Sequence, residues 1–208
     1  MWGLIGHQEV AERLAGQLAR GTVPHALLVV GPTGVGKTHL ALALARALNC
    51  VGSSSPCGEC RECRQILSAS HPDVAVIARS EGKNSIQIEQ IRDLRELASL
   101  KPFQGRWKVY VVRGAEDLTP QAADALLKTL EEPQPQVKLV LTAVDVEALP
   151  ETIVSRCQAV HLSAPTSVEI EQALSAEGSA AEEAARMELE LAMAEARLRL
   201  ARIRRRGS

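Results

Sequence analysis

The amino-acid sequence predicts an α/β fold in which a parallel sheet carries helices on both faces. Three observations predict it. Short aliphatic runs at 26–30, 73–78, 108–112, 137–143 and 159–162 alternate with helix-forming segments, and parallel neighbours need such crossovers between them. The first run leads straight into GPTGVGKT at 31–38, the G-x-x-x-x-G-K-T pattern of a phosphate-binding loop set between a strand and a helix. Aromatic residues make up only 2% of the chain, which leaves the core to Ala, Leu, Val and Ile.

The 208 residues suffice for one α/β domain of ordinary size and a smaller second part. Twenty-four Lys and Arg against 25 Asp and Glu give no overall charge that would draw the chain to nucleic acid or to an acidic membrane. So few aromatic side chains argue against base-stacking platforms. The N-terminal MWGLIGHQEV lacks the basic and apolar regions of a signal peptide, and no apolar run approaches the ~20 residues needed to span a bilayer. A cytoplasmic protein without a membrane partner is expected.

Taken in order, Val10, Leu14 and Leu18 share one face of a helix over 8–20 that Gly21 ends. Ile5, Gly6 and His7 precede it; they line either an adenine pocket or, for Ile5, plain core, and His7 has no assigned role. Pro24 closes the connection, and Ala26–Val30 forms a strand apolar on both faces, as at the centre of a parallel sheet. The loop Gly31, Pro32, Thr33, Gly34, Val35, Gly36, Lys37 and Thr38 is the candidate nucleotide site. Its glycines let backbone N–H groups turn toward phosphate, Lys37 reaches the terminal phosphates as a point charge, and Thr38 offers a hydroxyl to Mg²⁺. The Ala- and Leu-rich stretch Lys37–Asn49 reads as the helix whose positive end faces the phosphates of a bound nucleotide.

Cys50, Cys57, Cys60 and Cys63 follow, within fourteen residues. Four thiolates this close satisfy a tetrahedral zinc ion with no open position, which makes the site structural rather than catalytic. Free thiols and an iron–sulfur cluster are the alternatives, since C-x2-C-x2-C serves clusters as well. His71, before Pro72, is either a substitute ligand or, by the commoner pattern, a surface-turn histidine. Beyond the strand at 73–78 and the polar loop SEGKNS, Ile88, Ile91, Leu94, Leu97 and Leu100 step through a helix that ends before Pro102. KVYVV at 108–112 is a strand, Thr119 and Pro120 open a helix that Pro133 stops, 137–143 is a strand, 150–155 a helical turn, and 159–162 the last strand.

These pieces together resemble the AAA+ clamp-loader family of bacterial DNA polymerase III, and within it the delta-prime subunits. The resemblance is carried by GPTGVGKT, the cysteine insertion after its helix, LTPQAADALLKTLEEP, and Ser155-Arg156-Cys157 after LPETIV, in that order over about residues 1–165. It implies an AAA+ nucleotide-binding domain over 1–164, with ATP as the nucleotide and a zinc insertion at about 50–63. It implies gamma/tau and delta subunits as partners, and the sliding clamp and primed DNA through the complex. Arg156 matches the family's arginine finger, supplied in trans to ATP on a neighbouring subunit; outside the family, an arginine there reads as a surface charge.

Two departures bear on activity. Catalytic members follow the third strand with an acidic pair, where this chain has Arg113 and Gly114, with Glu116 and Asp117 lying beyond the strand end. Ala143 and Val144 stand where those members carry a polar sensor of the γ-phosphate. A loop without these groups holds nucleotide and turns it over poorly, because positioning and electrostatics supply nearly all phosphoryl-transfer catalysis. The competing expectation is a gamma-like ATPase that uses Glu116 or Asp117 as its acid. Residues 165–208 read as a partial helical lid and one long helix ending in Arg197, Arg199, Arg202, Arg204, Arg205 and Arg206, a solvated face or a DNA contact. The family's complete lid and collar are not recognisable, so the chain is either truncated or divergent there, with an assembly-incompetent fragment as the third expectation.

Overall fold

A computed structural model of the chain describes residues 2–166 and Glu169. Apart from Glu169, the lid and basic helix expected beyond 166 lie outside the described residues.

Five strands make one parallel sheet: β1 (Ala26–Val30), β2 (Val74–Ile77), β3 (Lys108–Arg113), β4 (Val137–Ala143) and β5 (Gln158–His161), in the order β2-β3-β4-β1-β5. Among the described residues six α-helices accompany them: α1 (Gln8–Ala19), α2 (Lys37–Asn49), α3 (Arg61–Leu67), α4 (Ile88–Ala98), α5 (Pro120–Glu131) and the short α6 (Glu151–Val154).

Successive strand residues point to opposite faces, and the sheet divides accordingly. Leu27, Val29, Val109, Val111, Val140 and Val160 face α1, α2 and α3, where they meet Leu14, Leu40, Leu44 and Ile66. Ala26, Leu28, Val30, Tyr110, Val112, Leu139 and Leu141 face the other way, onto Ile91, Leu94, Leu126, Leu130 and Ile153 of α4, α5 and α6. Both faces are covered, which is why β1 reads as an unbroken apolar run. Each fully enclosed leucine, such as Leu28, contributes about 1.5–3 kcal/mol by leaving water.

Two helix starts matter for the site. Thr119 caps α5 by accepting the Ala122 N–H at 3.2 Å, and Pro120 occupies the first turn, where its missing N–H costs nothing. At α2 the cap is Gly36, with no side-chain acceptor and no acid in the first turn. The orphan N–H groups of that turn are left for an anion.

The expected boundaries hold to within one or two residues, with two differences. The cysteine insertion contains α3, a helix too short to show a periodic face in sequence; Cys60 caps it by accepting the Cys63 N–H. His71 is no surface-turn residue but is buried. Its Nε2 lies 2.6 Å from Glu62 Oε2, and its Nδ1 accepts the Asp73 N–H at 3.0 Å. The Asp73 carboxylate in turn accepts N–H groups of Phe103, Gln104 and Gly105 at 2.8–2.9 Å. Burial pushes the Asp73 carboxyl up, but these three donors and the nearby imidazole outweigh it and hold it below the ordinary value. The network ties α3 to the loop that opens β3.

Candidate functional site

The phosphate loop leaves the C-terminal end of β1, an interior strand between β4 and the edge strand β5. Gly31 sits so close to the chain leaving β5 that a Cβ there would collide with the Leu162 carbonyl oxygen, which excludes any other residue. Gly34 and Gly36 have positive φ, 81° and 93°, and curl the loop onto the start of α2. Lys37 folds back, its Nζ donating to the carbonyls of Gly31 at 2.6 Å and Pro32 at 2.7 Å. Burial lowers the Lys37 pKa, and the negative charge of Glu116 partly offsets this.

A cleft of about 810 Å³ opens over this loop, a size that suits a nucleotide. Thr33, Gly34, Gly36, Lys37 and Thr38 form its floor; Arg113, Gly114, Glu116, Asp117, Thr142 and Val144 form one wall. Gly114 has φ 72°, a left-handed turn that leads into a 3₁₀ turn over Ala115–Asp117. That turn doubles the chain back and brings Glu116 into the cleft, although the residue lies past the strand end in sequence. Glu116 Oε2 is buried and, among the described residues, has no hydrogen-bond partner. Asp117 is engaged by Arg79, whose Nε lies 3.0 Å from Oδ2. Thr38 and Glu116 are therefore two of the oxygen donors on hand for a Mg²⁺ ion, a hard cation that takes such ligands.

Of the two strand-end positions that stand in place of the family's sensor, Ala143 is fully buried and Val144 contributes only an apolar wall. The polar side chain at that edge is Thr142, and its Oγ1 accepts the Gly114 N–H at 3.1 Å. Thr142, and the Arg79–Asn84 loop that forms the far wall, were not singled out in sequence. The signal available was topological: loops at the C-terminal ends of parallel strands line the ligand crevice. His7, unassigned before, is buried with Nε2 3.2 Å from the Val35 carbonyl, and His39 Nε2 lies 3.2 Å from the Trp2 carbonyl, so the N-terminal segment rests against the loop and α2. Ile5 is 37% exposed rather than core.

Arg156 lies at the opposite end of the strands from the phosphate loop. It follows α6 and precedes β5, whose Gln158 pairs with Leu27 and His161 with Val30 in parallel register. The phosphate loop begins where β1 ends and Arg156 sits where β5 begins, so the two are separated by the four paired residues, on the order of 13 Å. Its guanidinium donates through Nη1 to the Thr152 carbonyl at 2.8 Å and meets Glu131 Oε1 through Nη2 at 2.7 Å. Cys157, beside it, has its thiol pushed up to about 11 by burial and is not a thiolate nucleophile at neutral pH.

The sulfur atoms of Cys50, Cys57, Cys60 and Cys63 all lie within 4.8 Å of one another, with Cys57 and Cys63 4.0 Å apart. A tetrahedral zinc with Zn–S of about 2.3 Å requires S–S separations of about 3.8 Å, so the group can hold such an ion with little movement. Backbone N–H groups of Gly52, Cys57, Cys60 and Cys63 point at the sulfurs of Cys50, Cys50, Cys57 and Cys60 at 3.3–3.4 Å, the donors a thiolate needs. The Cys60 N–H, with that of Glu59, draws the Cys57 thiol down to about 6. Burial pushes the Cys63 thiol up to about 12. No helix among the described residues is long and apolar enough to cross a membrane.

The sequence profile of the family described as DNA polymerase III, delta subunit matches residues 6–166. The tau subunit of DNA polymerase III from Escherichia coli (strain K12) is 39% identical over 163 residues, 77% of this chain and 25% of that protein. The delta' subunit of Haemophilus influenzae is 40% identical over 157 residues, 75% of this chain and 48% of that one. The chain thus spans between a quarter and about half the length of the curated relatives it matches. Among solved structures, a DNA polymerase III gamma subunit-related protein of Thermotoga maritima matches with a TM-score of 0.55 at 22% identity, over 74% of this chain and 47% of that one. The RuvB Holliday junction branch migration motor of the same organism matches with a TM-score of 0.54 at 20% identity, over 89% and 56%. These structural likenesses establish the fold, a parallel sheet with helices on both faces.

Proposed function

The chain belongs to the DNA polymerase III, delta subunit family of clamp-loader proteins, and from that membership we propose that it acts as a delta-prime-like clamp-loader subunit. It binds ATP at Gly31–Thr38 with little or no turnover, donates Arg156 in trans to a neighbouring gamma/tau-type ATPase, and helps load the sliding clamp on primed DNA. Its partners are the gamma/tau and delta subunits, and its setting is the cytoplasm. The observation that carries the reading is the separation of Arg156 from the chain's own phosphate loop, at opposite ends of the sheet. An arginine so placed is out of reach of ATP in its own cleft and available to a neighbour's. The tau and delta' relatives are alike in identity, so the choice between them rests on the strand end, where Arg113 and Gly114 replace an acidic pair. On the purified chain, equilibrium binding is expected to detect ATP whose γ-phosphate stays intact; steady turnover by the chain alone would overturn the reading.

Glu116 favours a second reading, a gamma-like ATPase, because its carboxylate enters the cleft beside Lys37. That reading requires turnover by the chain alone, lost in Glu116→Gln.

For the cysteine cluster we propose zinc, held by Cys50, Cys57, Cys60 and Cys63 in a structural role. The folded insertion gathers the four sulfurs and the unfolded chain does not, so metal affinity adds to the stability of the folded insertion. The purified protein is expected to carry one zinc per chain by elemental analysis. Cys63→Ser should lose it and lower the melting temperature, while ATP binding at the distant loop persists. A metal-free protein with an unchanged melting temperature would contradict the assignment.

A further inference from the structure

We propose that Glu131 is a positioning residue for Arg156, holding the guanidinium in the orientation from which it reaches a partner's phosphate. The inference rests on the reading of Arg156 as an in-trans donor. Arg156 carries four rotatable side-chain bonds and is 36% exposed, so an unrestrained guanidinium would sample many positions. Its two short contacts confine it. Glu131, the last residue of α5, meets Nη2 at 2.7 Å, and the Thr152 carbonyl of α6 accepts from Nη1 at 2.8 Å. Together they grip one side of the planar fork from two different helices.

A guanidinium has five N–H donors; these two contacts and a longer one from Nη1 to Ser155 Oγ at 3.5 Å use at most three. Nε and the remaining Nη hydrogens stay available, so the hold does not consume the group's capacity for a phosphate. The negative end of the α5 dipole lies at the same place and strengthens the attraction. For stability, a half-exposed ion pair of this kind counts for little. Its consequence is orientation, since transition-state stabilisation depends steeply on how well the charged group is placed.

The test uses the full chain assembled with gamma/tau-type and delta subunits, with ATP as substrate. Glu131→Ala should lower kcat about tenfold, leaving KM for ATP, complex assembly and the melting temperature unchanged. Glu131→Gln, which keeps an acceptor oxygen for Nη2, should restore most of the loss. A kcat within about twofold of the parent for Glu131→Ala, alongside loss of turnover in Arg156→Ala, would overturn the positioning role and leave the donor role standing. A raised kcat would overturn it too, making Glu131 a restraint. Weakened assembly would reassign Glu131 to the subunit interface. Unchanged turnover in Arg156→Ala would remove both readings together.

Discussion

Arg156→Ala in a complex assembled with catalytic clamp-loader subunits is expected to lower ATP turnover at the neighbouring site by about 10³-fold or more, the range in which an arginine finger acts. The physical reason is that phosphoryl transfer spreads charge over the transferring oxygens, and a fixed, permanently charged fork meets that charge without reorganising. Arg156→Lys should recover little of the loss, because an ammonium cannot present two parallel donors. The chain's own ATP binding should be unaffected, since Arg156 is held at the far end of the sheet by Glu131 and Thr152. Steady-state hydrolysis by the mixture, with assembly confirmed by sizing, checks the prediction.

Lys37→Ala is expected to weaken ATP binding to the isolated chain by roughly ten- to a hundredfold, the loss of one charge-assisted contact of about 1.5–3 kcal/mol. In the structure Lys37 Nζ rests on the Gly31 and Pro32 carbonyls, so phosphate must draw it away from two hydrogen bonds. Removing the side chain also leaves the Glu116 charge without the Lys37 cation that it acts on, which adds repulsion against the anion. Calorimetric titration with ATP reads the effect directly. Glu116→Gln should move affinity measured without Mg²⁺ in the opposite direction.

The parts of this molecule that follow local rules were legible in its sequence. Strand β1, the phosphate loop and α2 are announced by an apolar run, a glycine pattern and a helix former in succession, and each depends on neighbours close in the chain. The four cysteines were equally plain, because their spacing alone suffices to bring the sulfurs together. What spacing alone does not place depends on three-dimensional return. Glu116 lies beyond the end of β3, and only the left-handed turn at Gly114 sends it back into the cleft. Thr142 enters the site because it points to the same wall as that turn, a relation set by the β3–β4 register, which pairs Arg113 with Thr142. His71 resembles a turn histidine until Glu62, nine residues earlier, is folded against it by α3. The ion pair of Arg156 with Glu131 joins residues 25 positions apart whose pairing no spacing rule predicts.

The central claim is that this chain serves a neighbour's ATP rather than its own, and hydrolysis by the assembled complex with Lys37→Ala in this subunit alone tests it most directly. The account predicts that most of the activity remains, because turnover occurs at partner sites that still receive Arg156. Abolition of turnover by Lys37→Ala, in a complex that assembles normally, would contradict it and place the chain among the motor subunits.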